Sequence, residues 1–511
     1  MVRLSLVAAI FVCFLFVNDG LAQSDRRQSW RDKQRRRLDE LSRATSWFGV
    51  DLFRRLASSS DDNLIFSPLS VYTALSMTLL GTHGDTKRQL KTVLSFRRGQ
   101  GVHRALHAIF ASFPTSPDAN VTLRVANAAY YDAAQVTLAD RFLRAVRRSY
   151  GASPRPFQRP EPETAINEWV SCATGGMIPD FLDAGAITPD TVLMLLNAVY
   201  FQGTWEEIFD ERATREANFT TFGGATVRVP MMNLDSQFSV KDVAELEARV
   251  LELPYREGRF SLFVILPNAV DGLRDVEGRL TSQVLEEALS NMPQRYRYDV
   301  SIPKFKMSTK KTLNDILKSL GLTLLFDPQN ADLSRMVSDS TSGMNLYVDK
   351  VQHEAVIEVN ERGTKAAAVT SVGVSVVSLP PQFRANHPFL VVLRDKTAKM
   401  NIFMGRLNDP SSSSHWRHDV ISTPVLCKLT FPGGTSRQLI ASQLEIPQVY
   451  FRQPVNERGT KASAVTSVGA TVLSLPPQFR ANHPFLVVLR DKTAKMNIFI
   501  GRLSDPTTDM V

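Results

Sequence analysis

Cysteine is scarce in this 511-residue chain, with only Cys13, Cys172 and Cys427. Cys13 lies in an N-terminal apolar run, so two remain for the body of the protein. That excludes a disulfide framework. The absence of Cys/His pairs at metal-ligand spacing argues against a structural metal. Without disulfides, stability has to come from a large apolar core, which this length permits. Histidine is scarce too, at eight residues, and no Ser/His/Asp arrangement is recognisable, so we expect neither an enzyme nor a cofactor. Beyond residue 23 no apolar run is long enough to span a bilayer.

What is present is ordinary for a folded soluble protein: 43% hydrophobic and 22% charged residues. The formal net charge of +9 admits an acidic partner, such as nucleic acid or a polyanionic glycan, without demonstrating one. Residues 1–23 combine Arg3, an apolar core from Leu4 to Val17 and small residues at Gly20-Leu21-Ala22. This is the pattern of a secretory signal peptide and predicts a secreted, extracellular protein. Residues 24–40 form a polar, basic tail that leads into a helix, with Arg26, Arg27, Arg31, Lys33, Arg35, Arg36 and Arg37 as a candidate patch for heparin or another sulfated glycan. We expect a monomer that binds neither nucleic acid nor membrane.

Helical spacing recurs at Leu41, Ala44, Phe48, Leu52 and Leu56, and a second apolar helix is predicted from Val71 to Leu80. Gly81 and Gly84 should end it and Asp85 should cap the next helix. Val121–Tyr131 alternates as a strand, Ala165–Leu182 reads as a helix, and Thr191–Gln202 is the continuous apolar run of a strand buried on both faces. Strands are also predicted at Arg249–Leu253, Phe260–Leu266, Tyr298–Pro303, Pro388–Leu393 and Met400–Met404, and a helix at Thr312–Leu320. The mixture is α+β. Asn120 and Asn218 head glycosylation sequons.

One stretch stands apart, NERGTKAAAVTSVGVSVV from Asn360 to Val377. In steps of two, Thr364, Ala366, Ala368, Thr370, Val372, Val374 and Val376 form an uncharged set that could lie on a core, while Lys365 and most polar residues fall on the other set. Its Gly-Thr-Lys start and Leu379-Pro380-Pro381 stop also suit an exposed loop. The stretch is a loop with the makings of a strand.

From Leu41 to Pro410 the chain resembles the serpin family. The blocks that carry the resemblance are FSPLS at Phe66–Ser70, NAVYFQGTW at Asn197–Trp205, VPMM at Val229–Met232, LELPY at Leu251–Tyr255, IPKF at Ile302–Phe305, HEAV at His353–Val356, VNERGTKAAA at Val359–Ala368, HPFL at His387–Leu390 and FMGR at Phe403–Arg406. The resemblance implies three β-sheets, eight or nine helices and an exposed reactive loop, here residues 360–381. It implies inhibition by suicide: a target serine protease, or in some cases a cysteine protease, cleaves the loop, the loop inserts into a sheet, and the acyl-enzyme is trapped. The hinge would be Glu361, Gly363, Thr364, Ala366, Ala367 and Ala368. Ser67, Ser70, Asn197 and His353 would control the opening of the sheet, with Trp205 where the loop first enters. Lys365 stands where the family often has Glu, and Val369 where Ala is common. Counting seventeen residues from Glu361, or eleven back from Pro388, places the cleaved bond at Val377–Ser378. A small β-branched residue there suits an elastase-type pocket rather than a trypsin-like one. The alternative reading is a non-inhibitory member acting as a carrier or binding protein.

Val359–Pro410 recurs as Val455–Pro506, offset by 96, with six differences: Ala367/Ser463, Val374/Ala470, Ser375/Thr471, Val377/Leu473, Met404/Ile500 and Asn408/Ser504. The second copy puts its bond at Leu473–Ser474 and favours a chymotrypsin-like target or an elastase that accepts Leu. A serpin fold has room for one copy, and loop closure disfavours the second by only about 1.4 kcal/mol. Residues 411–454 match nothing in the family, and 455–511 form the duplicated segment. We expect the copies to derive from alternative final exons, with the residues between them read through from an intron.

Overall fold

The computed structural model describes residues 32–96, 101–113, 120–152, 154–338, 346–363 and 380–412, and the backbone of four later strands within 426–503. Contacts divide the chain into one unit up to Phe451 and a second from Arg452. Among the described residues there are nine α-helices.

Helix α1 (32–57) starts ahead of Leu41 and buries Leu41, Phe48, Leu52 and Leu56 on one face. Strand β1 (Leu64–Phe66) follows, then α2 (Pro68–Leu79). The Ser67 side chain caps α2 by accepting from Ser70 N, and Pro68 opens its first turn, where the missing N–H removes no bond. Helix α2 is buried along its whole length. Helix α3 (Gly84–Val93) corrects two expectations: Gly84 opens it rather than ending α2, and its N-cap is His83, without a side-chain cap bond. The cause is tertiary, since His83 N donates to Asp332 O at 3.0 Å and fixes the chain entry there.

Helix α4 (Gly101–Ser112), β2 (Val121–Asp132), α5 (Asp140–Tyr150) and β3 (Arg155–Phe157) lead to α6 (Pro162–Thr174). Helix α6 ends well before Leu182, because Gly175 adopts φ +71 and closes a left-handed cap. The apolar pattern continues to Leu182 only because Ile178, Phe181 and Leu182 stay buried after the helix stops. Cys172 on this helix is disulfide-bonded, which corrects the expectation of a chain without disulfides.

Strand β4 (Leu193–Gly203) is buried on both faces, as its apolar run predicts. After it come β5 (Arg215–Thr220), the long β6 (Thr226–Val243), β7 (Ala248–Pro254), β8 (Phe260–Pro267), α7 (Leu273–Arg279), α8 (Ser282–Leu289), β9 (Tyr296–Pro303), β10 (Phe305–Thr312), α9 (Asn314–Ser319), β11 (Lys350–Val359), β12 (Gln382–Arg384), β13 (Phe389–Asp395) and β14 (Met400–Leu407).

One sheet runs β10-β11-β4-β2-β3. Strands β11 and β4 are parallel neighbours, from Lys350↔Met194 to Val356↔Tyr200. Both β10–β11 and β4–β2 are antiparallel. The other strands form a path in which β6 takes part twice: Met231–Phe238 pairs with β9, and Ser239–Val243 pairs with β7. That path resolves into two sheets sharing β6, so that, with the first, three sheets make up the described residues up to 412. The α+β architecture is as expected. Strand β4 alternates between two cores: Leu195, Val199 and Phe201 join the main one, while Met194, Leu196 and Ala198 pack with Ile166 and Val170 of α6.

The duplicated segment repeats a local structure. Strands β17 (Phe485–Asp491) and β18 (Met496–Leu503) pair as Phe485↔Leu503 through Asp491↔Met496, with an irregularity after Leu489. Strands β13 and β14 pair in the same register, with the same irregularity after Leu393. An earlier hairpin, β15 (Leu426–Thr430) with β16 (Ser436–Ile440), occupies the segment between the copies.

Candidate functional site

The seam between β11 and β4 gathers most of the sequence-predicted residues. One row across the sheet is His353↔Asn197↔Asn127. Aligned residues on neighbouring strands project to the same face, and this face meets the N-terminus of α2. His353 Nε2 accepts from Ser67 N at 3.2 Å. That nitrogen is therefore unprotonated, and the proton sits on Nδ1, donated to Asn197 Oδ1. Asn197 Nδ2 donates to Ser70 Oγ and to Asn127 Oδ1. Ser70 Oγ also donates to Asn127 Oδ1 at 3.0 Å. Ser67, Ser70, Asn197 and His353 are each at most 1% exposed. Burial pushes the His353 imidazole down to about 3, against a smaller upward pull from its bond to Asn197. It is neutral at physiological pH, as the bonding requires.

Asn127 belongs to this cluster and sequence reasoning missed it. The available signal was an amide at an interior position of the otherwise apolar run VANAAY in β2. Such a residue must find buried partners.

At the end of the seam the chain turns back. Asn360 N donates to Gly363 O at 3.2 Å and Gly363 N to Asn360 O at 3.1 Å. Gly363 adopts φ +107 and forms an antiparallel bridge with Thr204. A Cβ there would lie 2.3 Å from Gly203 O and 2.7 Å from Trp205 N, so only glycine fits. Trp205, 1% exposed, donates from Nε1 to Asn360 O at 2.9 Å and from its backbone N to Arg362 O at 3.2 Å. Its ring stacks on Tyr255 with centroids 4.3 Å apart. Glu361 is buried: Oε1 accepts from Thr214 Oγ1 at 3.0 Å and Oε2 lies 3.1 Å from Lys304 Nζ.

Thr364, Ala366, Ala367 and Ala368 of the expected hinge lie outside the described residues, as do both expected bonds, Val377–Ser378 and Leu473–Ser474, and the N-terminal segment 1–31. Asn120 is half-buried and donates from Nδ2 to Glu257 Oε1 at 3.1 Å. Asn218 is exposed on β5, paired with Arg228.

The family description "Serpin (serine protease inhibitor)" matches residues 43–410 and, separately, 451–506. Human Serpin B11 is 36% identical over 399 residues, covering 73% of this chain and all of that protein. The horse leukocyte elastase inhibitor is 36% identical over 387 residues with the same coverage. Among solved structures, the native thermophilic serpin tengpin superposes with a TM-score of 0.66 at 28% identity, covering 72% of this chain and 94% of that one. Maspin superposes with a TM-score of 0.66 at 26% identity, covering 73% of this chain and all of that one. With the parallel seam, its buried polar row and the glycine turn at its end, the chain belongs to the serpin family, the family of serine protease inhibitors.

Proposed function

We propose that the protein is a secreted suicide-substrate inhibitor of elastase-like or chymotrypsin-like serine proteases. The carrying observation is the parallel β11–β4 pair with the loop attached at its end by a reverse turn. A strand that follows β11 through that turn runs antiparallel to both β11 and β4. Inserting it exchanges one parallel pairing for two antiparallel ones, which adds a full ladder of backbone hydrogen bonds. The uncharged alternate set from Thr364 to Val376 can enter without burying a charge. Opening the seam requires the His353–Asn197 bond to break, which gives the buried polar row its role as a latch. Trp205 and Gly363 hold the point of first entry.

Val377 and Leu473 as bait residues fit apolar specificity pockets, and one similar protein is named for inhibiting leukocyte elastase. The sequence of residues 1–23 supports secretion, the sequons at Asn120 and Asn218 support glycosylation, and the basic segment 24–40 supports contact with a sulfated glycan. The repeated β13–β14 register in β17–β18 supports the reading that either copy can complete the fold.

The test mixes the protein with pancreatic elastase and with chymotrypsin and resolves the products by denaturing electrophoresis. A covalent complex that survives SDS, with cleavage after Val377 or Leu473, is expected. Replacing both Thr364 and Thr460 by Arg should convert inhibitor to substrate whichever copy is engaged, because insertion would bury the charge. Cleavage without complex by the unaltered protein, across both proteases, would instead favour a non-inhibitory binding protein.

A further inference from the structure

A second site lies away from the seam. Helices α3, α4 and α5 and the segment carrying Arg335 border a half-open cavity of about 540 Å³. Lys87, Lys91, Arg104, Arg148 and Arg335 line it together with His103 and His107, and no carboxylate of the described residues does. The acidic side chains of the surrounding elements are engaged elsewhere: Asp85 with Arg88, Asp140 with Arg144 at 3.8 Å, and Asp332 with His83 at 3.3 Å.

Ordinary helix electrostatics accounts for only part of this charge. Lys91 and Arg148 sit near the C-terminal ends of α3 and α5, where the helix dipole favours cations. Arg104 lies near the N-terminal end of α4, where the dipole opposes a cation, and Arg335 lies on no helix. The cations also disturb one another. Burial first, then Arg335 and Lys91, holds the Lys87 ammonium below its usual range. Burial, then Lys87, pushes His103 down to about 4. Mutual repulsion around a concave, partly closed volume is the condition that a bound polyanion relieves.

We propose that this cavity binds a compact ligand bearing several phosphate or sulfate esters. The cations border a half-open hollow instead of following a line, which suits a small, densely charged molecule better than a long chain. The volume lies within the range of ordinary small-ligand sites. Guanidinium forks and lysine ammonium groups match tetrahedral oxyanions. Leu79, Leu80 and Phe96 supply an apolar wall for a ring. None of residues 32–40 lines the site, and it stands whether or not the chain inhibits a protease.

The experiment is titration calorimetry of the full chain with inositol hexakisphosphate, sucrose octasulfate, inorganic phosphate and long-chain heparin. Saturable binding of at least one compact polyanion is expected, at least a hundredfold tighter than inorganic phosphate and weakening as salt rises. Whichever of the two compact probes binds more tightly identifies the ester. Lys87→Ala and Arg335→Ala should each weaken it at least tenfold, while Arg35→Ala with Arg36→Ala should leave it unchanged. Far-UV dichroism and melting of each variant separate lost binding from lost fold, and Lys91→Gln provides a milder second variant. Binding untouched by the cavity variants, binding of heparin alone, or inorganic phosphate as tight as the polyanions would each overturn the proposal.

Discussion

Two places along the β11–β4 seam bury polar groups in contrasting ways. In the middle, His353, Asn197, Asn127, Ser70 and Ser67 join two strands of the seam, a third strand and a helix through neutral groups, nearly all of them side chains. At the end, Trp205 and Gly363 hold the turn mainly through main-chain groups, and Glu361 adds one ion pair. The bond between His353 and Asn197 crosses the seam, so separating the strands must break it. Glu361 instead reaches Thr214 and Lys304, neither of which lies on β4. Under the proposed insertion, the sheet would open in the middle and begin at a fixed point, and these two kinds of contact suit those two tasks.

The largest expected effect breaks the middle alone. Asn197→Ala removes the acceptor for His353 Nδ1–H and a donor to Ser70 and Asn127, leaving buried groups unpaired. Each such group costs about 1–3 kcal/mol, so a loss of roughly 3 kcal/mol in urea unfolding is expected. Hydrogen exchange should accelerate along β11 near His353 while the Trp205 indole N–H stays protected. Equal loss of protection at both places would erase the distinction between them.

Gly363→Ala attacks the other place. The methyl group would meet Gly203 O at 2.3 Å in a backbone at φ +107, so the turn must shift. Strain of this kind costs about 1–3 kcal/mol. Trp205 fluorescence should move to longer wavelength as its indole is uncovered, while protection of the His353 amide persists. An unchanged emission spectrum would count against the tight bridge.

Acid sharpens the contrast because two neighbouring residues of β11 titrate with opposite sign. His353 is held at about 3 by burial, below its ordinary 6.5, so the unfolded chain binds more protons and stability falls as pH drops below 6.5. Glu354 faces the α6 side of the sheet and is raised to about 7, first by burial and further by Asp180 and Asp183, against Lys310 and Ser308. Its folded state binds more protons, so its contribution is fully present below about 4.5 and is lost as pH rises through 7. Between pH 7 and 5 each effect amounts to roughly 2 kcal/mol, and they nearly cancel. His103, also held down by burial at about 4, adds its own loss toward pH 5, so wild type still loses stability across that window. Glu354→Gln should lose roughly 2 kcal/mol more than wild type on going to pH 5 in urea unfolding, because the opposing Glu354 effect is gone. A variant no steeper than wild type would remove Glu354 from the account.

How much of this could be read beforehand differs between the two places for physical reasons. The apolar run of β4 declared a strand buried on both faces, while the Gly-Thr-Lys start at Gly363 suited an exposed loop and did not disclose the tight turn that Gly363 makes. Ser67, Ser70, Asn197 and His353 were legible only through blocks that resemble a family, since nothing in a lone sequence says that residues 286 apart, Ser67 and His353, share a bond. Asn127 escaped because register across β2 and β4 is a tertiary property. The end of α6 escaped for a related reason: apolar residues beyond Gly175 pack like a helix face without forming one. Asp85 looked like a cap, but a distant carbonyl, Asp332 O, had already fixed where α3 begins.

The smallest expected effect separates charge from shape at the turn. Glu361→Gln keeps the size of the side chain and an acceptor for Thr214 Oγ1, and removes only the attraction to Lys304. The Lys304 side chain is 24% exposed and keeps access to water, so it is not stranded in a dry interior. A pair of this kind is worth at most about 1 kcal/mol, and the change should be near that in urea unfolding and shrink further in high salt. Glu361→Ala should cost more, because Thr214 then also loses its acceptor. If Gln and Ala behave alike, the ion pair outweighs the hydrogen bond, and the end of the seam would be held by charge where the middle is held by neutral groups. If Gln is near-neutral and Ala is not, both places rest on hydrogen bonding, and what distinguishes them is that one lies across the β11–β4 seam and the other beside it.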